Sequence, residues 1–321
     1  MRISLTVPVY NEFESIQELY RRARVAMESL PHDWELIFVN DGSIDRSEEV
    51  LDALADEDER VRVVHFRRNF GQTAAMMAGF DFATGDVIIP MDADLQNDPA
   101  DIPRLLDALE KGSDVCSGWR KDRQDDALQR NIPSIMANRL ISALSGVRLH
   151  DFGCSLKAYR AEVVKGVRLY GEMHRFLPIY ASWHGARISE VPVSHSPRSF
   201  GHSKYGLERV LKVVCDLIVV MFLDKYEQKP MYVFGTAGAV SLLVSFLSGC
   251  LALYLRFLHG KSFIETPLPL LVVMTAITGV MCILMGLLAE MIMRTFYESQ
   301  GKRVYLVRET RNFCNTSDDR V

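Results

Sequence analysis

The chain has 321 residues, of which 48% are hydrophobic and 24% are charged, and its formal net charge is only −4. These values exclude a disordered chain, a fibrous repeat, a small disulfide scaffold and a strongly basic nucleic-acid-binding protein. They do not exclude a membrane protein, because most of the charge lies before residue 230 and two long uncharged stretches follow it.

The first 120 residues alternate apolar runs of strand length with helical patterns, which predicts a doubly wound, largely parallel α/β sheet. The predicted strands are Ile3–Val9, Glu35–Asn40, Arg62–Phe66, Asp86–Met91 and Asp114–Ser117. The predicted helices are Phe13–Ser29, Ser47–Ala55, Gln72–Ala83 and Pro99–Leu109. Sheets of this class bind ligands beyond the carboxyl ends of their strands.

Carboxylates follow three of the predicted strands at those ends. Glu12 follows the first strand, Asp41 the second, and Asp92 and Asp94 the fourth. Alternate residues of an extended segment share a side, so Asp92 and Asp94 predict a site for Mg²⁺ or Mn²⁺, completed by diphosphate oxygens and water. A solvated loop would explain the D-x-D pattern alone, but its position beside Asp41 favours a site. No dinucleotide-binding glycine motif and no P-loop motif occurs.

Three later segments have patterns with more than one explanation. Asn131–Gly146 predicts an amphipathic helix, which either packs on the core or lies at a membrane surface. Pro197–Tyr205 is a glycine-containing basic loop, which is either an anion site or an ordinary surface loop. Leu207–Leu223 is mostly apolar with four charged residues, as in a helix at the bilayer interface.

Two uncharged stretches predict a transmembrane hairpin. Met231–Leu255 and Thr266–Ala289 contain no Asp, Glu, Lys or Arg. As helices, each would span roughly 36 Å, enough for a hydrocarbon core of about 30 Å. Lysine and arginine are more frequent outside the hairpin than in the loop 256–265, which predicts that the large N-terminal part and the short C-terminal tail are cytoplasmic.

Seven motifs follow one another in an order known from one family. They are VPVYNE (7–12), NDGSIDRS (40–47), RRNFGQTAAMMAGFDFATGD (67–86), MDADLQNDP (91–99), SGWR (117–120), DFGCSLKAYR (151–160) and PRSFGHSKYG (197–206). With them, the chain resembles the family 2 glycosyltransferases of the polyprenyl-phosphate type, and most closely their bactoprenol (undecaprenyl-phosphate) glucosyltransferases. The resemblance implies a GT-A fold, a doubly wound mixed sheet followed by an interfacial helix and two transmembrane helices.

The resemblance also implies roles for residues on the donor side. Four residues should line the nucleoside pocket: Pro8, Tyr10, Glu12 and Asp41. Asp92 should lie beside the diphosphate and ribose, and Asp94 and Gln96 should hold the Mg²⁺ or Mn²⁺ cofactor. Arg198 and Lys204 should bind phosphate groups of the donor.

On the acceptor side, the resemblance implies that Arg120, Arg130 and Ser134 meet the acceptor phosphate and that Asp151 lies close to the active site. The leaving nucleoside diphosphate needs cationic stabilisation. A phosphate monoester, with a second pKa of about 6, is mostly ionised at neutral pH, so positioning matters more than a general base. We expect inversion, from an alpha-linked donor to a beta-linked lipid phosphate sugar.

The expected protein is a multi-pass enzyme of the bacterial inner membrane. It moves a sugar, glucose from UDP-glucose as the first choice, to undecaprenyl phosphate and binds no nucleic acid. The expected parts are the catalytic domain 1–206, the interfacial helix 207–229, the transmembrane hairpin 230–290 and the cytoplasmic tail 291–321. The nearest relatives imply a homo-oligomer, a tetramer.

Other functions stay open at this point. The same scaffold would serve GDP-mannose or a UDP-aminoarabinose derivative. A processive polysaccharide synthase is disfavoured, because no Q-x-x-R-W string occurs and two spans are too few for a polymer channel. A non-catalytic membrane partner of a lipid-sugar flippase is disfavoured by the full set of phosphate and metal residues.

Overall fold

The structure, a computed structural model, describes residues 1–121, 138–139, 141–143, 145–165, 167, 173–197, 231–259, 262–298 and 305–313. The chain forms two compact units, Met1–Met221 with Arg303–Val321, and Phe222–Lys302. The predicted interfacial helix 207–229 and most of the predicted helix 131–146 lie outside the described residues. The domain boundaries drawn from the sequence stay a prediction.

The first unit is a mixed α/β sheet with helices on both faces. Its described strands are β1 (Arg2–Val9), β2 (Asp33–Asn40), β3 (Val61–Phe66), β4 (Val87–Pro90), β5 (Val115–Trp119), β6 (Lys157–Arg160), β7 (Ile188–Pro192) and β8 (Val307–Arg311). Its described helices are α1 (Phe13–Glu28), α2 (Ser47–Glu57), α3 (Gln72–Phe82), α4 (Ile102–Glu110), α5 (Ala161–Val164) and α6 (Leu177–Trp183). All five predicted strands and all four predicted helices are present.

The strand order of the described sheet is β7-β5-β6-β4-β1-β2-β3-β8. β1 pairs in parallel with β2 and β4, and β2 pairs in parallel with β3. β6 runs antiparallel between β4 and β5, and β8 runs antiparallel along β3, so the sheet is mixed as predicted. Sequence patterns did not indicate β6 or β8. The C-terminal segment, expected to be a tail, returns to the sheet as an edge strand.

Strand alternation separates the two faces of the sheet. Ile3, Leu5 and Val7 of β1 are fully buried in one hydrophobic core with residues of α1, α2 and α4. Alternate residues point to the other face, where α3 packs so closely that a Cβ at Gly79 would lie 2.9 Å from the Cβ of Thr6. Loops at the carboxyl edge therefore stand on a rigid sheet packed on both faces.

The second unit is a helical hairpin of α7 (Met231–His259) and α8 (Leu268–Glu298). Phe234–Leu258 and Leu268–Ala289 have mean hydropathies of 2.0 and 2.5, long and apolar enough to cross a membrane. Only 22% and 11% of their most apolar stretches are buried, whereas a core helix of a soluble protein would be mostly covered. These helices match the predicted spans.

The two helices of the hairpin meet at small residues. A Cβ on Gly238 would lie 2.8 Å from the carbonyl oxygen of Gly279, so neither position has room for a side chain. Ser241 donates a hydrogen bond to the carbonyl of Thr275 (3.0 Å), and Ser245 donates one to Val272 (2.8 Å). Gly238 therefore serves close packing within the hairpin.

Candidate active site

Polar side chains converge at the carboxyl edge of the sheet, because β2, β1 and β4 are neighbours in parallel orientation. Pro8 is the second-to-last residue of strand β1, and Tyr10 and Glu12 follow the strand; all three are partly exposed. Asn11, between them, has φ 55° and turns the chain away from the strand direction. The three predicted nucleoside-pocket residues thus share one edge of the sheet.

Asp41 closes the same edge after β2. It is 3% exposed, and its two carboxylate oxygens accept hydrogen bonds from the backbone N–H groups of Phe70 (2.7 Å) and Gly71 (3.0 Å). Burial raises the pKa of Asp41, and these two N–H groups oppose that rise. Gly42 is required next, since at φ +66° a Cβ would lie 2.4 Å from the backbone carbon of Arg68.

Asp92 and Asp94 follow β4. Asp94 is 7% exposed and Asp92 is partly exposed. Burial raises the pKa of Asp92, and the neighbouring negative charge of Asp94 raises it further. A hydrogen bond to Ser155 and the charges of two arginines, Arg120 and Arg175, oppose the rise. A carboxylate whose charge is destabilised by a second carboxylate is the expected environment of a divalent cation.

The loop after Asp94 is tightly shaped. Leu95 has φ 60°, a left-handed conformation unusual for leucine, and Asp94 accepts a hydrogen bond from the N–H of Gln96 (3.2 Å). The carbonyl of Gln96 accepts a hydrogen bond from Ser196 (2.9 Å), which brings buried His195 opposite Asn97. Strain at such a loop is typical of a functional site.

The side-chain oxygens of this loop suit a hard cation but supply only part of its coordination shell. Among the described residues, no group of three or more His, Cys, Asp and Glu side chains is arranged to hold a metal ion. Asp92, Asp94 and Gln96 could supply only part of a shell of six oxygens. The remaining ligands would have to come from diphosphate oxygens and water, as Mg²⁺ and Mn²⁺ sites on nucleotides commonly require.

Arg120, at the end of β5, forms a bidentate ion pair with Asp151. Its Nε and one terminal nitrogen donate to the two carboxylate oxygens at 2.7 and 3.0 Å. The side chain of Asp151 is 4% exposed and that of Arg120 12%, so the pair is shielded from water. The geometry fixes the guanidinium plane. Asp151 thus lies where it can orient Arg120.

The loop that carries Asp151 is itself held from two sides. Glu190 of β7 accepts the N–H groups of His150 (2.9 Å) and Asp151 (3.1 Å). The ammonium group of Lys157, 3% exposed, donates to the carbonyls of Phe152 and Cys154. Burial lowers the pKa of Lys157. The backbone of this loop is therefore held by a buried lysine and a largely covered glutamate.

Sequence patterns did not single out three residues near Asp92. Gln72, the first residue of α3, donates its amide N–H to Asp92 (2.8 Å). Arg175 and Ser155 act on the pKa of Asp92. Gln72 lies in the FGQT string and Ser155 in the DFGCSLKAYR string, so those motifs were the available signal. Arg175 lies in no such motif.

Four predicted site residues lie outside the described part of the chain: Arg130, Ser134, Arg198 and Lys204. The structure brings together the other predicted groups at one edge of the sheet. Asp41 follows β2, and the charges of Arg120 and Asp94 act on Asp92, which follows β4.

Curated relatives cover almost the whole chain. It is 44% identical over 318 residues to the dodecaprenyl-phosphate galacturonate synthase of Rhizobium johnstonii, covering 96% of this chain and 93% of that protein. It is 36% identical over 308 residues to the undecaprenyl-phosphate 4-deoxy-4-formamido-L-arabinose transferase of Edwardsiella ictaluri, covering 95% and 93%. The Klebsiella pneumoniae transferase of the same name is also 36% identical, over 309 residues.

Solved structures share the fold of the first unit. The glucosyl-3-phosphoglycerate synthase of Mycobacterium tuberculosis with Mn²⁺ and UDP-glucose has a TM-score of 0.52 at 19% identity, over 70% of this chain and 78% of that one. The S. aureus TarS 1–349 complex with UDP-GlcNAc has a TM-score of 0.50 at 20% identity, over 70% and 67%. These neighbours confirm the predicted GT-A-like fold.

Residues 4–168 match the family model described as glycosyl transferase family 2. This match and the near-complete coverage of the curated relatives confirm the predicted family and the predicted enzyme class, a glycosyltransferase. The chain therefore belongs to glycosyl transferase family 2, and its relatives there are polyprenyl-phosphate sugar transferases.

Proposed function

We propose that the carboxyl edge of the sheet transfers a sugar from a nucleotide donor to polyprenyl phosphate at the membrane surface. The observation that carries this proposal is the arrangement of Asp92, Asp94, Arg120 and Asp151 in one electrostatically coupled group, in a chain whose relatives are polyprenyl-phosphate sugar transferases. An alpha-to-beta inversion at the anomeric carbon follows if the acceptor phosphate attacks from the side opposite the leaving diphosphate.

The donor's nucleoside binds against Pro8, Tyr10, Glu12 and Asp41 in this proposal. Asp41 supports the assignment because its carboxylate is held by two backbone N–H groups in a fixed position. A carboxylate beside the nucleoside suits the hydrogen-bond donors of a base or a ribose. Asp92, with its side chain steadied by Gln72, then faces the ribose and diphosphate.

Asp94 and Gln96 hold the divalent cation in this proposal. A bound Mg²⁺ or Mn²⁺ would neutralise the charge that develops on the leaving diphosphate. The Mycobacterium neighbour contains Mn²⁺ with UDP-glucose, which is a parallel for the fold. Arg198 and Lys204, outside the described residues, are proposed to bind donor phosphates, as their motif implies.

The acceptor phosphate is placed by arginine in this proposal. It needs no strong general base, because the second ionisation of a phosphate monoester has a pKa of about 6. Arg120 supports the assignment: Asp151 holds its guanidinium in a fixed orientation, its charge acts on Asp92, and a guanidinium suits a phosphate oxygen. Arg130 and Ser134 stay proposed partners on motif grounds.

The hairpin anchors the chain in the bacterial inner membrane in this proposal. Its two apolar helices have the length of spans, and the acceptor is a lipid. The larger number of lysines and arginines outside the loop 256–265 supports a cytoplasmic catalytic unit. A homo-oligomer, such as the predicted tetramer, stays a prediction.

For the donor sugar we propose galacturonate, with 4-deoxy-4-formamido-L-arabinose as the second candidate. The relatives that support these sugars share 44% and 36% identity with the chain over nearly its whole length. None of these three relatives is named for glucose, the sugar expected first from the sequence. The aminoarabinose alternative fits two of them.

The experiment is a donor panel. Purified full-length protein with Mn²⁺ or Mg²⁺ and a polyprenyl phosphate is incubated separately with UDP-galacturonate, UDP-4-deoxy-4-formamido-L-arabinose, UDP-glucose and GDP-mannose. The lipid product is identified by mass spectrometry and the released nucleotide is quantified. We expect product from UDP-galacturonate. Product only from another donor would overturn the sugar assignment, and no product from any donor would overturn the proposed function.

A further inference from the structure

His65 is a buried histidine at the carboxyl edge of the sheet with no role so far. It is 1% exposed and lies near the end of β3. In the sheet it is paired with Asn40 of β2 on one side and with Glu309 of β8 on the other. It therefore lies between the turn that carries Asp41 and the C-terminal strand.

The two ring nitrogens of His65 have different partners. Nδ1 is 3.0 Å from the amide nitrogen of Asn40, and Nε2 is 3.1 Å from a carboxylate oxygen of Asp52. The amide oxygen of Asn40 accepts the N–H of Ser43 (2.9 Å), so its NH₂ group must face the ring. Nδ1 is then the acceptor, and Nε2 carries the hydrogen that it donates to Asp52.

This hydrogen-bond chain ends at the turn beside Asp41. Asn40 fixes Ser43, and the hydroxyl of Ser43 accepts the N–H of Asn11 (3.0 Å). Asn11 in return accepts the N–H of Ile44 through its side chain (2.9 Å). The loops after β1 and β2 are therefore bonded to each other through a turn whose first residue is oriented by His65.

The C-terminal strand β8 lies beside Asp52, the partner of His65 on the Nε2 side. Arg311 of β8 lies 3.5 Å from the Asp52 oxygen that meets His65. Tyr305, just before β8, stacks on Phe66 with the ring centroids 5.0 Å apart, and its hydroxyl donates a hydrogen bond to the carboxylate of Asp81 (2.8 Å). β8 closes the sheet edge over His65, which keeps water from competing for the ring nitrogens.

We propose that His65 is a positioning residue for the nucleotide pocket: as an acceptor for Asn40 it sets the Asn40–Ser43 turn and so the place of Asp41. This inference rests on the proposed function, since it takes that turn as part of the nucleoside pocket. His65 does not touch the donor. Its removal should weaken nucleotide binding by releasing the turn, beyond any general loss of stability.

The test measures nucleotide affinity and thermal stability of the full-length protein by calorimetry. UDP and GDP are titrated with Mn²⁺ present, and the tighter binder serves for the variants. His65→Leu removes the acceptor and should weaken binding about tenfold, the effect of one lost buried hydrogen bond. His65→Gln offers an amide oxygen in its place and should stay within about threefold of wild type.

Tyr305→Phe is the control, because it removes a partly buried hydrogen bond from the same edge without touching Asn40. It should lower the melting temperature and leave nucleotide affinity unchanged. Unchanged affinity in His65→Leu would overturn the inference, as would equal weakening in His65→Gln or in Tyr305→Phe. If wild-type protein binds neither nucleotide, the proposed function itself fails, and the inference fails with it.

Discussion

Asp41 and Asp151 in the first unit and Ser241 and Ser245 in the hairpin are polar side chains in sheltered surroundings, and they are satisfied in different ways. The carboxylate of Asp41 accepts hydrogen bonds from two backbone N–H groups, and that of Asp151 accepts two from the guanidinium of Arg120. The hydroxyls donate to main-chain carbonyls of the facing helix. The hydrogen bonds in the first unit hold charged groups in fixed positions, whereas those in the hairpin only join the two helices.

The difference shows what each unit is built to do. Fixed charges beside one another cost folding free energy and are retained where a ligand gains from them. Small residues and neutral hydroxyls allow close packing of helices without a charge in lipid. Substitutions that remove a charge at the candidate site should therefore lower activity. Substitutions that enlarge a small residue in the hairpin should weaken helix packing there and leave the transfer activity intact.

The largest effect is expected for Asp94→Ala. Loss of a carboxylate proposed to hold the metal should lower the transfer rate about a thousandfold, the upper part of the range for removing one electrostatic group. The measurement is lipid product formed per minute. Asp98→Ala, in the same loop and with the same charge change, should stay within a few-fold of wild type. Full activity in Asp94→Ala would revive a non-catalytic role.

Asp151→Asn should lower the transfer rate about a hundredfold. Asparagine keeps the volume, but it removes the charge and one of the two oxygens that orient Arg120. The Kd for nucleotide should change less than threefold. The control is Asp114→Asn, which breaks a bidentate but more exposed pair with Arg187 at the other end of β5. Equal losses in the two variants would contradict a specific role for Asp151.

In the hairpin, Gly238→Ala should lower the free energy of unfolding by about 1–3 kcal/mol, because the new methyl group would overlap the carbonyl of Gly279. The measurement is a thermal melt of helix content in detergent. Gly249→Ala is the control, since its Cβ would meet only Val272 at 3.9 Å. Activity at 25 °C should persist in both. Identical melts would show that the helices do not pack at Gly238.

The smallest effect concerns the pH dependence of stability. His174 accepts from or donates to Thr73 (2.7 Å), and burial, assisted by the charges of Arg175 and Lys157, lowers its pKa to about 3. The unfolded chain binds the proton near pH 6.5, so stability present above that pH is lost as pH falls toward 3, by about 1.4 kcal/mol per unit.

Melting temperatures between pH 7.5 and 5.5 measure this effect. Wild type should lose stability more steeply than His174→Gln, whose side chain does not titrate. The difference between the two curves isolates His174 from the other titrating groups. Parallel curves would mean that the ring of His174 binds a proton as readily in the folded protein as in the unfolded chain, which would contradict the lowered pKa.

The parts of the molecule that could be predicted are those with local signals. Apolar runs of strand length and helical patterns predicted β1 to β5 and α1 to α4, and the absence of charges predicted the two long apolar helices. The D-x-D pattern indicated Asp92 and Asp94 as a candidate cation site because the two carboxylates are close in sequence, and that role stays a prediction. These features depend on neighbours in sequence, which a single chain displays directly.

The features that escaped prediction depend on distant residues. The role of Arg120 at a phosphate stays a prediction, but no sequence pattern indicated that Asp151, 31 positions on, orients its guanidinium. β8 pairs with a strand more than 240 residues earlier, and its charged, short sequence has no strand signal. Arg175 reaches the site through packing of α6 and its preceding turn. Such contacts follow from the tertiary fold, and no local pattern reports them.

The most direct test of the account compares two acceptors in one assay. Wild-type protein, Mn²⁺ and the donor that gives product are incubated with polyprenyl phosphate or with the matching polyprenyl alcohol, and lipid-linked sugar and released nucleotide are measured together. The account predicts equimolar sugar transfer and nucleotide release with the phosphate, and neither with the alcohol. Equal transfer to the alcohol, or nucleotide release without a lipid-linked sugar, would contradict it.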